Sequence, residues 1–218
     1  VNIALVNEMA RLCDRMGGVD IWEVVEAAAT KPFGFMPFYP GPGIGGHCIL
    51  VDPYYLAWKA REYDFHTSFI ELAAKTNEDM PFYVAGLIRK ALSNIEVAFK
   101  NANIMILGIS FKPNIDDIRN SPALNIVKLL LRRGAKTIIY NDPYVPEVKI
   151  DGKVFQSVDL TAEVLQKQDV VVVTTDHADY DAKFITENSK VLVDTRNLTK
   201  HLDVDMQKII KLGAGEPF

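Results

Sequence analysis

The segment Gly41-Pro-Gly-Ile-Gly-Gly-His-Cys48 carries the sharpest chemical signal in the chain. A glycine-dense turn lets backbone approach a ligand closely and leaves amide N–H groups unhindered, and Cys48 stands directly after it, where a helix can begin. Helix N-termini favour thiolates, which makes Cys48 a candidate nucleophile; the plain alternative is a small core hydrophobe closing a turn. Asp52 lies one helical turn beyond Cys48, so on a helix the carboxylate and thiol share a face, within reach of one reacting carbon or a water. Equally on spacing, Asp52 caps the turn at Pro53. Neighbouring side chains on a helix diverge, so His47 is not assigned as the base of Cys48. His66, His177 and His201 lie in no recognisable motif, which leaves a protease-like cysteine mechanism without its imidazole. Cys13 falls on an apolar helical stripe and reads as core.

A second constellation is Gly108-Ile-Ser-Phe-Lys-Pro-Asn-Ile-Asp-Asp-Ile-Arg119-Asn-Ser-Pro122. It follows a strand-like run, and the carboxyl ends of strands are where open α/β sheets take ligands. Lys112 and Arg119 are suited there to phosphates, with Ser121 capping a helix behind Pro122; the alternative is ordinary surface charge on a connecting loop. Asp194-Thr-Arg196-Asn closes another strand at the same edge and can bring Arg196 to the same place. The run is not G-x-G-x-x-G, so a dinucleotide fingerprint is missing. Trp22, Trp58, Phe33, Phe35, Phe38 and Tyr39 either stack on a base or anchor their loop. No spacing suggests a metal site.

The elements that must hold these residues change character along the chain. Ile3, Val6, Met9, Ala10 and Cys13 recur at helical spacing from the first residues, as if the chain opened inside a helix, and Gly17-Gly18 ends it. Asp20 is the N-cap for a helix over 21–29. Residues 31–48, rich in proline and glycine, form a long shaped loop. Helical periodicity resumes near Asp52, and a further helix bearing Phe69, Leu72, Ala73, Val84, Leu87, Ile88 and Leu92 runs to about Val97. Short β-rich runs then alternate with helices: strands at 104–107, 137–140, 170–174 and 191–194, helices near 122–133, 161–168 and 181–188. That pattern is α/β, with a parallel sheet covered on both faces. The boundary falls at 98–101, giving a helical unit (1–98) and a Rossmann-like unit (99–218), without internal repeat.

Composition narrows the field. Of 218 residues, 24 are Lys or Arg and 28 are Asp or Glu, a net charge of -4, so no basic field exists for nucleic acid or an anionic membrane. No apolar run approaches the roughly 18 to 20 residues of a bilayer span, and no signal peptide opens the chain, so a cytoplasmic protein is expected. Two cysteines in unlike contexts do not make a disulfide framework.

Val1-Asn-Ile-Ala-Leu-Val-Asn-Glu8, the Phe38-Tyr-Pro-Gly-Pro-Gly-Ile-Gly-Gly-His-Cys48 loop with Val51-Asp-Pro-Tyr-Tyr-Leu56, and Leu107-Gly-Ile-Ser-Phe-Lys-Pro-Asn-Ile-Asp-Asp-Ile-Arg-Asn-Ser-Pro-Ala-Leu124 together resemble the UDP-glucose/GDP-mannose dehydrogenase family. The nearest branch resembles the UDP-N-acetylglucosamine and UDP-N-acetylmannosamine 6-dehydrogenases of polysaccharide biosynthesis. The resemblance implies three domains: an N-terminal Rossmann domain for NAD, a helical central domain that dimerises and carries the nucleophile, and a Rossmann-like domain for UDP. Only the last two match here. Leu50 replaces the family's usual proline, and residues 31–35 supply no clear counterpart of the arginine that some relatives send to a neighbouring subunit.

By the same resemblance, a UDP-N-acetylhexosamine is oxidised at its 6-hydroxyl to a carboxylate with two NAD per turnover, through a thiohemiacetal and a thioester on Cys48. Asp52 positions or activates water. Phe38, Tyr39, Gly43, Gly45, Gly46, Phe111, Lys112 and Arg196 are implied at the substrate, with Arg196 near its phosphates or the cofactor, and Arg119 reaches NAD. A reading of another class is a binding and dimerisation module without turnover of its own.

Overall fold

The computed structural model describes residues 1–202 and 206–215. Four helices come first: α1 (Asn2–Met16), α2 (Ile21–Ala29), α3 (Cys48–Ala60) and α4 (Ser68–Asn94). After a 3-10 turn at Phe99–Asn101 the chain alternates β1 (Asn103–Leu107), α5 (Pro122–Arg132), β2 (Thr137–Asn141), β3 (Glu147–Ile150), β4 (Lys153–Gln156), α6 (Ala162–Gln166), β5 (Val170–Val173), α7 (Ala182–Asn188), β6 (Leu192–Asp194) and β7 (Ile209–Lys211). Caps mark several helix starts. Asp20 accepts the Trp22 N–H, Ser121 that of Ala123 ahead of Pro122, and Asp181 that of Phe184.

The main sheet has the order β2-β1-β5-β6-β7. Every pair is parallel, with Ile104 opposite Ile138 and Val170, and Val172 opposite Val193. Strands covered on both faces bury every residue, as the Val170–Val173 run does. Ile104, Ile106, Val170, Val172, Val193 and Ile210 face one core; Met105, Leu107, Val171, Val173, Leu192 and Ile209 face another, with Leu165 of α6 and Ile185 of α7. β3 and β4 form a separate antiparallel hairpin.

The first core runs across the change of architecture near residue 98. Val84, Leu87, Ile88 and Ala91 of α4 pack beside Ile126 and Leu130 of α5, so a helix from the N-terminal half serves as a layer on the sheet. Behind it lie Ala10 and Cys13 of α1 and Trp22 of α2. The segment after β7 returns to these helices: Trp22 Nε1 donates to the Leu212 carbonyl at 2.8 Å and the Ile21 N–H to that of Gly213 at 2.8 Å. A Cβ on Gly213 would stand 2.4 Å from Ile21 Cγ2, at a φ of +76°.

Three expectations change. α3 begins at Cys48 rather than near Asp52 and runs through Pro53, so Asp52 sits inside the helix and is not a cap. α4 stops at Asn94, three residues before Val97. The sheet gains β7, and the β3–β4 hairpin fills a stretch with no expected element.

Candidate active site

Cys48 is the first residue of α3, and the Val51 N–H bonds back to the His47 carbonyl to open the helix. Its side chain is exposed, whereas Cys13 is buried; burial, with Asp14 nearby, pushes the Cys13 thiol pKa up. Of the two thiols, one is presented to solvent at a helix start and the other is locked in a core. Asp52 follows one turn along α3, also exposed, and opens on a cavity of about 500 Å³ between α3, α4 and the start of α1. Phe38, Ile44, Leu50 and Asn77 share that lining; Cys48 does not.

The glycine loop is shaped by what it touches. At its start the Gly41 N–H donates to Asn7 Oδ1 at 2.9 Å, and Asn7 Nδ2 donates to Asn77 Oδ1 at 2.9 Å, tying the loop to α1 and α4. At its end the Gly46 N–H donates to the Arg119 carbonyl at 2.8 Å, while Asn120 Nδ2 donates to the Gly46 carbonyl at 2.9 Å. Between these ties, a Cβ on Gly45 would fall 2.4 Å from Phe111 Cβ, and one on Gly43 3.2 Å from Pro122. Glycine is therefore demanded here by the 108–121 connection pressing against the loop.

That connection leaves β1 at the carboxyl edge of the sheet, next to β5, where the strand order reverses direction and α/β sheets take their ligands. Its base is buried and polar. Asp142 accepts N–H groups from Ile109, Ser110, Tyr144 and Val145, and Nε2 of His177 stands 3.1 Å from its Oδ2. Burial alone would raise the Asp142 pKa, but His177 and the backbone donors outweigh it and hold the carboxyl below its ordinary value. The Asn114 N–H donates to His177 Nδ1, which puts the imidazole proton on Nε2. Ser110 Oγ lies 3.3 Å from that nitrogen and donates its own proton to the Lys112 carbonyl. This Ser–His–Asp grouping is thus a buried staple rather than a nucleophile with its base, and both nitrogens of His177 are occupied.

On this base the connection carries Phe111, half-buried against Gly45 and Gly46, and Lys112, exposed. The Arg119 guanidinium is exposed and grips Asp117 in a fork, Nε–Oδ1 3.0 Å and Nη2–Oδ2 2.6 Å. Arg196 donates from Nε to Asp176 at 2.9 Å, and its Nη1 occupies the space that a Gly41 Cβ would need. Tyr39 stacks on Trp22 at 5.8 Å, which anchors the loop aromatics to α2, and Phe38 packs on the first core. Gly43, Gly45, Gly46, Phe111 and the backbone of Arg119 thus meet at one seam that ends in Cys48; Arg196 joins it through Gly41, while Asp52 and Phe38 open on the neighbouring cavity.

Among the described residues no group of His, Cys, Asp or Glu is arranged to hold a metal. A dinucleotide does not fit the β1–α5 turn. A Cβ on Gly108 would meet Thr175 at 2.4 Å, so that glycine serves packing, and the start of α5 is capped by Ser121 and covered by Gly43. Sequence reasoning passed over Asn7, Asn77, Asn120, Asp142 and His177. Asn120 sits at a φ of +52°, which asparagine tolerates, and Asp142 lies in an Asn-Asp-Pro run closing β2; these were the available signals.

Family models match the two halves separately. Residues 1–79 match the central domain, and residues 105–201 the UDP binding domain, of the UDP-glucose/GDP-mannose dehydrogenase family. The chain belongs to that family. It is 36% identical over 202 residues to an NDP-N-acetyl-D-galactosaminuronic acid dehydrogenase from Ralstonia nicotianae, covering 91% of this chain and 45% of that protein. It is 37% identical over 207 residues to the UDP-N-acetyl-D-mannosamine dehydrogenase of Pyrococcus horikoshii, covering 92% and 46%. A solved structure of the Pyrococcus horikoshii UDP-D-ManNAc dehydrogenase superposes with a TM-score of 0.83 at 34% identity, over 99% of this chain and 49% of that one. The chain thus spans about half the length of these relatives. No helix among the described residues is long and apolar enough to cross a membrane.

Proposed function

We propose that this chain carries the nucleophile and the nucleotide-sugar cradle of an NAD-dependent dehydrogenase that oxidises the 6-hydroxyl of a UDP-N-acetylhexosamine to the uronic acid. The observation that carries the reading is Cys48, exposed at the start of α3 and bonded through Gly46 to the connection that bears Phe111 and Lys112. Lys112 and Arg196 meet the diphosphate, Phe111 and Phe38 pack on the sugar nucleotide, and the backbone of Gly43, Gly45 and Gly46 comes close to the hexose; Tyr39 sits at the rim, held from behind by Trp22. Cys48 Sγ adds to the C6 aldehyde, its electron pair forming the C–S bond while the carbonyl oxygen takes the charge. Once that carbon has reached the thioester level, Asp52 holds the water that forms the new C–O bond as C–S breaks. Arg119, exposed at the far end of the same connection as Lys112, reaches toward the cofactor. The described residues form no cradle for NAD at the β1–α5 turn, so the roles assigned to this chain are substrate binding, covalent capture and the placing of water, with Arg119 its one reach toward the cofactor.

The exposed apolar faces support a homodimer. Tyr55, Trp58, Tyr63, Phe65, Phe69 and Leu72 leave α3 and the first half of α4 largely uncovered, and a second copy is the occupant we assign to them. Titration calorimetry tests the central reading. Wild-type chain should bind UDP-N-acetylhexosamine and show negligible NAD affinity, and Lys112→Ala should weaken sugar-nucleotide binding by about 1.5–3 kcal/mol, as befits a charge-assisted contact. NAD binding without UDP-sugar binding would overturn it. The alternative of a pure binding module is favoured only if the nucleotide sugar binds while Cys48 is no more reactive than Cys13.

A further inference from the structure

We infer that His177 and Asn114 are positioning residues for the nucleotide sugar, holding the turn that carries Lys112 in register with Arg196. The inference rests on the reading of Lys112 and Arg196 at the diphosphate and adds to it the stretch that spaces them, residues 175–178. That stretch follows β5, which lies in the sheet between β1, the strand leading to Lys112, and β6, the strand leading to Arg196. His177 and Asn114 act through Lys112, without touching the ligand.

Hydrogen bonds on both sides of the Lys112 turn tie it to this stretch. Ahead of the turn, Thr175 Oγ1 donates to the Ser110 carbonyl at 2.6 Å. Behind it, the Asn114 N–H donates to His177 Nδ1 at 3.0 Å, and the Ala178 N–H donates to Asn114 Oδ1 at 2.8 Å. Ser110 Oγ, which donates to the Lys112 carbonyl at 2.9 Å, lies 3.3 Å from His177 Nε2. Asn114 sits at a φ of +60°, a left-handed conformation that its short side chain tolerates, and Pro113 narrows the backbone of Lys112 before it. His177 is itself fixed: Asp142 Oδ2 lies 3.1 Å from Nε2, Tyr144 stacks on the ring at 5.1 Å and Tyr180 meets it edge-on at 5.3 Å.

The same stretch reaches the other cation. Asp176, between Thr175 and His177, accepts from Arg196 Nε at 2.9 Å. One short connection therefore holds both cations, and their separation is set before a ligand arrives. An exposed lysine on a free loop loses backbone freedom when it grips a diphosphate; a turn already fixed loses less, and the difference appears as affinity.

Titration calorimetry of UDP-N-acetylhexosamine on single and double variants of the full chain separates positioning from general support of the fold. His177→Phe keeps a ring beside Tyr144 and Tyr180 but removes both nitrogens. Asn114→Gly keeps the left-handed turn but removes the acceptor for Ala178. Urea unfolding establishes that each variant is folded, and Asn114→Gly, at an exposed position, carries the test if the buried change unfolds the chain. Each should weaken binding by roughly 3- to 30-fold, the range of coupling within one hydrogen-bond network. In a Lys112→Ala background the same changes should stay within about twofold, whereas in an Arg196→Ala background the full loss should remain. Equal losses in all three backgrounds, or no loss from a folded variant, would overturn the inference. If the wild type does not bind, or Lys112→Ala alone leaves binding unchanged, the reading of Lys112 at the diphosphate has failed and takes the inference with it, a result told apart by those two proteins alone.

Discussion

Replacing Asn7 by alanine should destabilise the chain more than any surface change, because Asn7 is fully buried and both ends of its amide are in use. Its Oδ1 receives the Gly41 N–H, and its Nδ2 reaches Asn77 Oδ1, each at 2.9 Å. Alanine leaves a buried backbone donor and a buried side-chain acceptor without partners, at about 1–3 kcal/mol apiece. The sum, about 2–6 kcal/mol, is a large share of the roughly 5–15 kcal/mol that holds a typical native state. At about 2–4 °C per kcal/mol for a chain of this size, a loss near 3 kcal/mol lowers Tm by about 6–12 °C. Urea unfolding followed by circular dichroism, with calorimetry for Tm, measures it. Asn7→Asp is the sharper variant: it keeps the acceptor for Gly41 but sets a buried charge against Asn77 Oδ1, and should be at least as damaging. A loss below about 0.5 kcal/mol in Asn7→Ala, the scale of a surface substitution, would refute the claim that this tie holds the glycine loop.

Gly45→Ala should cost about 1–3 kcal/mol, because its Cβ would stand 2.4 Å from Phe111 Cβ and 3.2 Å from the Asn120 carbonyl; Gly86→Ala, in open space within α4, should instead stabilise by about 0.5–1 kcal/mol. Urea titration of both decides it, and equal effects would contradict the packing argument. Asp142 and Asp169 both have pKa values held below the ordinary 3.8, Asp169 because the Asn103 N–H and Lys190 outweigh its burial. The stability they contribute is present in full above about pH 3.8 and is lost as pH falls through the lower folded values, so Asp169→Asn should flatten the acid limb of a stability–pH curve. Light scattering should return about twice the 24.4 kDa chain mass, and a monomer at high concentration would argue against the second copy on α3 and α4.

Local chemistry was legible where a residue acts on its neighbours. Asp20, Ser121-Pro122 and Asp181 mark helix starts that their own side chains cap, and the apolar runs at 104–107 and 170–173 are strands because both faces are covered. β3 and β4 escaped because four-residue strands that mix Val, Ile and Phe with Glu, Lys and Gln lack an apolar run, and β7 because three residues cannot establish a period. That α4 serves as a layer on the sheet is a tertiary fact, for its apolar stripe would read the same against any partner. The need for glycine at Gly45 was likewise invisible, since the atom it avoids belongs to Phe111, far along the chain. His177 had no motif because its partners Asp142, Ser110 and Asn114 come from two other connections.

The central claim is that a nucleotide sugar held by the 108–121 connection delivers its sixth carbon to Cys48. The most direct measurement is the rate of Cys48 alkylation in the presence of saturating UDP-N-acetylhexosamine, compared with UDP alone and with no ligand. The account predicts that the sugar nucleotide slows Cys48 at least tenfold, that UDP alone protects it far less, and that Lys112→Ala shifts protection to higher ligand concentration. A sugar nucleotide that binds to saturation and leaves the Cys48 rate unchanged would contradict it.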